Sequence, residues 1–318
     1  MSPLPDVTFP NFDLAVPDNG YSWWYVDAIS DDGLHALTMI AFIGSVFSPY
    51  YARARNRGDA KPIDYCALNV ALYGRPSRWS MTERASRSVS RSPQHLQIGP
   101  SVVEWGGECL HFAINEVSVP IPKRLCGEIR LWPQAIGTQE FTLDSGGHHR
   151  WYPLSPCSRI EVVLSEPRLK WSGQAYWDMN RGARPLEHDF ISWNWSRATG
   201  AGEPDSTAIL YEGLRCNGED FCLALLADSR GEIEPFDAPP STTLRPTRFW
   251  QITRSTRADK AQAKVQQTLE DTPFYSRSLL QTRLAGKSLT AVHESLSLQR
   301  FCSSWVRCLL PFRMPRIR

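Results

Sequence analysis

Three short stretches gather an acid, an imidazole and several aromatic rings: His149-Arg150-Trp151, Tyr176-Trp177-Asp178-Met179-Asn180-Arg181-Gly182, and Trp193-Asn194-Trp195. Read as β-strands, where successive side chains point to opposite faces, each i,i+2 pair shares one side. His149 then lies beside Trp151, Tyr176 beside Asp178, and Trp193 beside Trp195. A carboxyl group enclosed by aromatic rings tends to stay protonated, because low polarity disfavours its charged form. A neutral acid of this kind can hand a proton to an apolar substrate. The plainer reading of Asp178 is a turn residue, since an Asp followed closely by Asn and Gly commonly satisfies backbone donors, and Trp and Tyr are ordinary core residues. His149 taken alone reads more simply as a hydrogen-bonded structural residue. A second stripe, Tyr21, Trp23, Tyr25 and Asp27, also shares one strand face and competes for the catalytic role.

The elements that must position these groups are short strands. Runs such as YSWWYVDAI, IDYCALNVALYG, GEIRLWP, RIEVVLSEPRLKWSGQAYWDMN and FCLALLADS alternate with period two and are bounded by Gly, Pro, Asn and Asp. This pattern predicts an all-β chain of sandwich or barrel type. The strongest helical candidate is 258–269. A turn-rich connection at 153–158 and the polar patch 166–170 place a domain boundary near residue 167, dividing the chain into 1–167 and 168–318. Two barrel-like halves would then meet near the His149 and Asp178 strands, and clefts between domains are common ligand sites. The Arg/Ser-rich run Thr82 to Pro93 reads as a mobile loop between strands.

Composition narrows the function classes. With 42% hydrophobic and 21% charged residues over 318 positions, the chain reads as an ordinary globular protein. A formal net charge of +2 argues against nucleic acid as a partner. His148, His149, His188 and Asp189 are metal-ligating types, but adjacent histidines on a strand diverge and no H-E-x-x-H or Cys/His framework occurs, so no metal is expected. Elbow, Walker and dinucleotide motifs are also missing. Eight cysteines without compact spacing read as reduced, mostly buried thiols. The first 20 residues lack the features of a secretory leader, which predicts a cytoplasmic location. The longest apolar run, Leu37 to Phe47, is too short to span a bilayer and reads as a core strand or a membrane-facing loop. Two segments suit lipid headgroups: the aromatic, basic stretch Ser48 to Gly58, and the tail from Trp305 to Arg318 with Arg307, Arg313, Arg316 and Arg318 among apolar residues. An exposed hairpin tip and a frayed tail are the competing readings.

Several separated blocks, in order, resemble the carotenoid 1,2-hydratase (hydroxyneurosporene synthase) family of phototrophic bacteria. They are P-D-N-G-Y-S-W-W-Y-V-D-A-I-S-D-D-G from Pro17, H-R-W-Y-P from His149, and A-Y-W-D-M-N-R-G-A-R-P-L-E from Ala175, continuing into Ile191 to Trp195. The resemblance implies two lipocalin-like β-barrel domains in tandem. It also implies cofactor-free addition of water to the terminal C1=C2 bond of an acyclic carotene such as neurosporene or lycopene. The family's Y-x-D acid maps onto Asp178, with Tyr176 from the same block and His149 and Trp151 from H-x-W.

Protonating C2 of such an alkene leaves a tertiary cation at C1, so the reaction needs a neutral acid and aromatic faces around the developing charge. Asp178 suits the first role; Trp151, Tyr176, Trp193 and Trp195 suit the second, with Trp23 and Tyr25 as further substrate-contacting rings. His149 or Tyr176 would position the water. An isoprenoid hydrocarbon is held only by burial of apolar surface and is stable in the bilayer, which makes the membrane surface a natural partner. This implies peripheral attachment to the inner or intracytoplasmic membrane. A non-catalytic lipocalin-like carrier is the competing function, and oligomeric state is left open.

Overall fold

The computed structural model describes residues 9–58, 60–202 and 205–317. The chain divides into two compact units, 1–185 with 308–318, and 186–307.

The first unit is one 13-stranded, almost wholly antiparallel sheet. It opens with β1 (Tyr21–Ser30), β2 (Ala36–Ile43), β3 (Cys66–Tyr73) and β4 (Arg78–Arg84). Six strands follow: β5 (Val89–Ser92), β6 (His95–Ile98), β7 (Ser101–Trp105), β8 (Leu110–Val117), β9 (Arg124–Pro133) and β10 (Phe141–Thr142). The long hairpin β11 (His149–Glu166) and β12 (Leu169–Gly182) closes the series. β12 then returns to pair with β1, so the spatial order runs β4-β3-β2-β1-β12-β11-β9-β8-β7-β6-β5. The chain is mostly β, and its sheet curls as a half-barrel.

The hydrophobic core lies on one face of this sheet. Trp24, Val26 and Ala28 of β1, Leu37, Met39 and Ala41 of β2, and Ala175, Trp177 and Met179 of β12 all belong to it. Because side chains alternate, Trp23, Tyr25, Asp27, Tyr176 and Asp178 project from the opposite face. They are buried there as well. Both faces of β1 and of β12 from Ala175 to Asn180 are therefore covered, which explains the apolar and aromatic residues at successive positions there.

The second unit holds a seven-stranded antiparallel sheet. Its strands are β13 (Phe190–Thr199), β14 (Thr207–Arg215), β15 (Asp220–Ala227), β16 (Ile233–Pro235), β19 (Ala263–Asp271), β20 (Tyr275–Leu284) and β21 (Lys287–Ser297). The ribbon β17 (Ser241–Leu244) and β18 (Arg254–Arg257) pairs separately. Residues 308–317 belong to the first unit, where β22 (Arg316–Ile317) runs parallel to β4.

Several sequence expectations change here. Residue 167 falls in the β11–β12 turn, and both strands of that hairpin pair within the first unit, whose division from the second comes after Pro185. Residues 258–269 are not helical: a 3-10 turn at Asp259–Ala261 leads into β19, whose β-sheet pairing with β20 overrides a weak helical pattern. The Arg/Ser run is the end of β4, a 3-10 turn and strand β5. Ser48 to Gly58 is no hairpin tip. It carries helix α1 (Pro49–Arg55), capped by the Ser48 hydroxyl, and Tyr51 is fully buried with its hydroxyl donating to the Gly20 carbonyl at 2.6 Å. The tail arginines are engaged too. Arg313 lies 4.2 Å over the Trp79 ring, while Arg316 sits 4.4 Å over Tyr65 and pairs with the Glu83 carboxylate. Arg318 and the first eight residues, part of the segment read for a leader, lie outside the described residues. All eight cysteines are free, but only Cys66 and Cys157 are buried. Among the described residues no helix is long and apolar enough to cross a membrane.

Candidate active site

The antiparallel register of β1 and β12 sets Tyr25 opposite Asp178, Asp27 opposite Tyr176, Trp23 opposite Asn180 and Tyr21 opposite Gly182. On the other side of β12, β11 sets Trp151 opposite Asn180 and His149 opposite Gly182. Just beyond Tyr152 the β11–β12 register shifts twice, between Tyr152 and Ser155 and again before Ser158. Such bulges re-aim side chains near functional sites. Here they fall next to the segment that carries His149 and Trp151.

Asp178 is 5% exposed, while Trp151 and Tyr176 are fully buried. The Trp151 indole Nε1–H donates to Asp178 Oδ2 at 2.9 Å, and the Tyr176 hydroxyl donates to the same oxygen at 3.0 Å. Two neutral donors thus fix the rotamer of the carboxyl group. Tyr25 closes the group from β1, its ring edge-on to that of Tyr176 with centroids 6.2 Å apart. Its hydroxyl donates to Asp27 Oδ2 at 3.2 Å. Phe141 of β10 packs against Trp151 at 5.4 Å.

His149 stands at the end of the same face, one strand step beyond Trp151. Its Nδ1 is 2.9 Å from the Tyr21 hydroxyl, and Tyr21 stacks on Trp23 at 4.8 Å. The Asp144 carboxylate accepts from the backbone N–H groups of His149 and His148, which anchors the start of β11. Gly182 is required by this geometry, since a Cβ there would lie 2.3 Å from a Tyr21 ring atom and 2.8 Å from His149 Nδ1. Next to this end is a cavity of about 300 Å3 whose lining includes Val16, Tyr21, His148, Arg150 and Arg181. Both arginines pair with Glu140.

The structure therefore joins Asp178, Tyr176 and Trp151 in one hydrogen-bonded group, with Tyr25 and Trp23 on the same face of the neighbouring strand. His149 shares that face but bonds to Tyr21. Trp193 and Trp195 belong to β13 of the second unit, where Trp193 packs edge-on against Phe190 and Tyr211. Sequence reasoning missed the Tyr21–His149 bond, the Asp144 anchor and the position of Asn180 between Trp23 and Trp151. Parity along β12 (176, 178, 180, 182) held the signal for Asn180 and Gly182. Pairing across 128 positions of sequence separates Tyr21 from His149, and no local pattern reports it.

The profile of the carotenoid hydratase CrtC family matches residues 39–318. The chain is 52% identical to an acyclic carotenoid 1,2-hydratase of Thiocapsa roseopersicina, covering 97% of this chain and 76% of that protein. It is 50% identical to the enzyme of the same name from Rubrivivax gelatinosus, over 96% and 76%. Among solved structures, an AttH protein from Nitrosomonas europaea is similar with a TM-score of 0.59 at 14% identity, covering 93% of this chain and 99% of that one. Kievitone hydratase from Nectria haematococca is similar with a TM-score of 0.57 at 10% identity, covering 93% and 95%. At these identities the two structures speak to the fold alone.

Proposed function

The chain belongs to the carotenoid hydratase CrtC family, and on that premise we propose that it adds water to the terminal C1=C2 bond of an acyclic carotene, with Asp178 as the general acid. The observation that carries this reading is the Trp151–Asp178–Tyr176 group, a buried carboxyl held by two neutral donors among aromatic rings. Proton transfer from Asp178 to C2 moves the π electrons into the new C–H bond and leaves a tertiary cation at C1. The faces of Trp151, Tyr176, Tyr25 and Trp23 supply negative quadrupole density where that charge develops. Water then bonds to C1 and loses a proton, giving the 1-hydroxy carotenoid. As written, the step needs neither a redox cofactor nor a metal. We assign His149, bonded to Tyr21, the role of ordering water that enters the site. We read the two sheets as lipocalin-like barrels, and Trp193 and Trp195 as substrate-binding rings of the second unit.

A hydrocarbon substrate resides in the bilayer, so the protein is proposed to work at a membrane surface. The tail arginines are poor candidates for that contact, because Arg313 and Arg316 are held by Trp79, Tyr65 and Glu83. A better one is on the second unit, where Phe249 is 79% exposed and Trp250 stacks on the half-exposed Trp305 at 5.8 Å. Exposed aromatic groups of this kind favour the lipid headgroup level.

The deciding experiment incubates purified protein with lycopene or neurosporene in lipid vesicles in 18O-labelled water, without added cofactors, and separates the pigments by chromatography and mass spectrometry. A labelled tertiary alcohol that disappears with Asp178→Asn is the expected result. Label that survives Asp178→Asn would move the acid elsewhere. Bound carotene that is never converted would make the protein a carrier.

A further inference from the structure

We propose that Asp27 is the base that takes the proton from the attacking water, making Asp27 and Asp178 an acid–base pair built across the β1–β12 register; this rests on Asp178 being the acid. The two strands carry the same motif in opposite directions. Tyr25-Val26-Asp27 on β1 faces Tyr176-Trp177-Asp178 on β12, with Tyr25 opposite Asp178 and Asp27 opposite Tyr176. Each carboxyl accepts from the tyrosine two residues before it, at 3.2 Å for Asp27 and 3.0 Å for Asp178. Both acids are buried on the sheet face opposite the hydrophobic core, with Asp27 1% exposed.

Diagonal neighbours of this kind stand about 7–8 Å apart on an antiparallel sheet. That is the spacing of their backbone positions; side chains projecting from it on one face can bring a carboxylic acid and a carboxylate to either side of one water molecule, the arrangement in which two carboxyl groups divide acid and base work. A hydration needs both functions at one place. The proton of Asp178 goes to C2, the water oxygen bonds to C1, and a water proton goes to the Asp27 carboxylate. Asp178 ends as carboxylate and Asp27 as acid. Return of that proton from Asp27 to Asp178, through solvent or the intervening tyrosine hydroxyls, restores the starting state, so atoms and charge balance. Trp151 donates to Asp178. That indole bond, added to the tyrosine bond, is what marks Asp178 as the acid of the pair.

The test runs wild type, Asp27→Asn and Asp178→Asn with lycopene vesicles in D2O, measuring both tertiary alcohol and deuterium in the recovered lycopene. Without its base, Asp27→Asn should still form the cation and return it to alkene through Asp178. Hydration should fall about 10²–10³-fold while recovered lycopene gains deuterium at C2. Asp178→Asn should show neither product nor deuterium. Wild-type hydration by Asp27→Asn would overturn the proposal, as would loss of both alcohol and deuterium in a variant whose near-ultraviolet circular dichroism is native. Deuterium entry that survives Asp178→Asn would instead remove the acid on which the pair rests. If Asp27→Asn is recovered unfolded, Tyr25→Phe takes its place, keeping the ring and removing the hydroxyl that orients Asp27. It should slow hydration about tenfold with deuterium entry retained, and unchanged hydration would overturn the assignment.

Discussion

The first unit buries carboxyl groups in two ways, and Glu116 and Asp178 show the contrast. On the core face, where β4 and β8 approach, Glu116 accepts from the Arg84 guanidinium at 2.8 Å and from the Ser101 hydroxyl at 2.8 Å. On the opposite face, Asp178 accepts from an indole and a phenol, and Asp27 from a phenol. The arginine partner opposes the effect of burial, which pushes the Glu116 carboxyl up. An ion pair of this kind is a structural part, costly to break and poor at exchanging a proton. A carboxyl that accepts from an indole and a phenol is oriented by neutral donors. On the proposed function, the difference separates a carboxyl that closes a core from one that does chemistry.

The sharpest way to break this comparison is a pair of substitutions read on two axes. Asp178→Asn keeps shape and volume and should lower hydration by up to about 10⁴-fold, with a urea midpoint close to that of the wild type. Glu116→Ala should do the reverse. Leaving Arg84 buried without its partner costs about 3–5 kcal/mol in denaturant unfolding, while turnover per folded molecule stays near wild type. A large stability loss at Asp178, or a catalytic loss at Glu116, would erase the distinction between the two kinds of carboxyl.

A buried imidazole extends the comparison to the second unit. His293 is fully buried, its Nε2 is 2.8 Å from the Ser255 carbonyl, and burial pushes its pKa down to about 4. Between about pH 6.5 and 4 the unfolded chain binds a proton that the folded unit refuses, so stability falls as pH drops through that window. The loss should approach about 3 kcal/mol below pH 4. Equilibrium unfolding followed from pH 7 to 4 checks it, and His293→Gln should flatten that slope if His293 is its source.

The smallest effect is expected at the surface. Phe249→Ser with Trp305→Ser should weaken flotation with anionic vesicles about tenfold, a loss of roughly 1.4 kcal/mol, and leave the urea midpoint nearly unchanged. Arg316→Ala is the contrasting variant, because its guanidinium is occupied by Glu83 and Tyr65. It should leave flotation intact.

Much of the site was legible because strand alternation is a property of covalent geometry. The pairs His149/Trp151 and Tyr176/Asp178, and the stripe from Tyr21 to Asp27, each keep to one face as their spacing predicts. The errors came where a segment's partners decide its form. Val89–Ser92 became a strand because His95–Ile98 pairs with it, and residues 263–271 became a strand because β20 offers a neighbouring edge. Tyr51 looked like part of a lipid-facing tip, yet the Gly20 carbonyl receives its hydroxyl in the interior.

What the sequence determined alone was the list of side chains available to each strand face, together with the ordered blocks that mark the family. Tertiary structure decided which faces adjoin. β1 and β12 lie some 150 positions apart along the chain, yet they pair residue for residue and bring Tyr25 to Asp178 and Asp27 to Tyr176. The indole that fixes Asp178 arrives from a third strand, β11. Alternation is set within a few bonds, whereas strand partners and register are set by how the whole sheet buries its surfaces, and a slip of one residue would turn both acids to the other face.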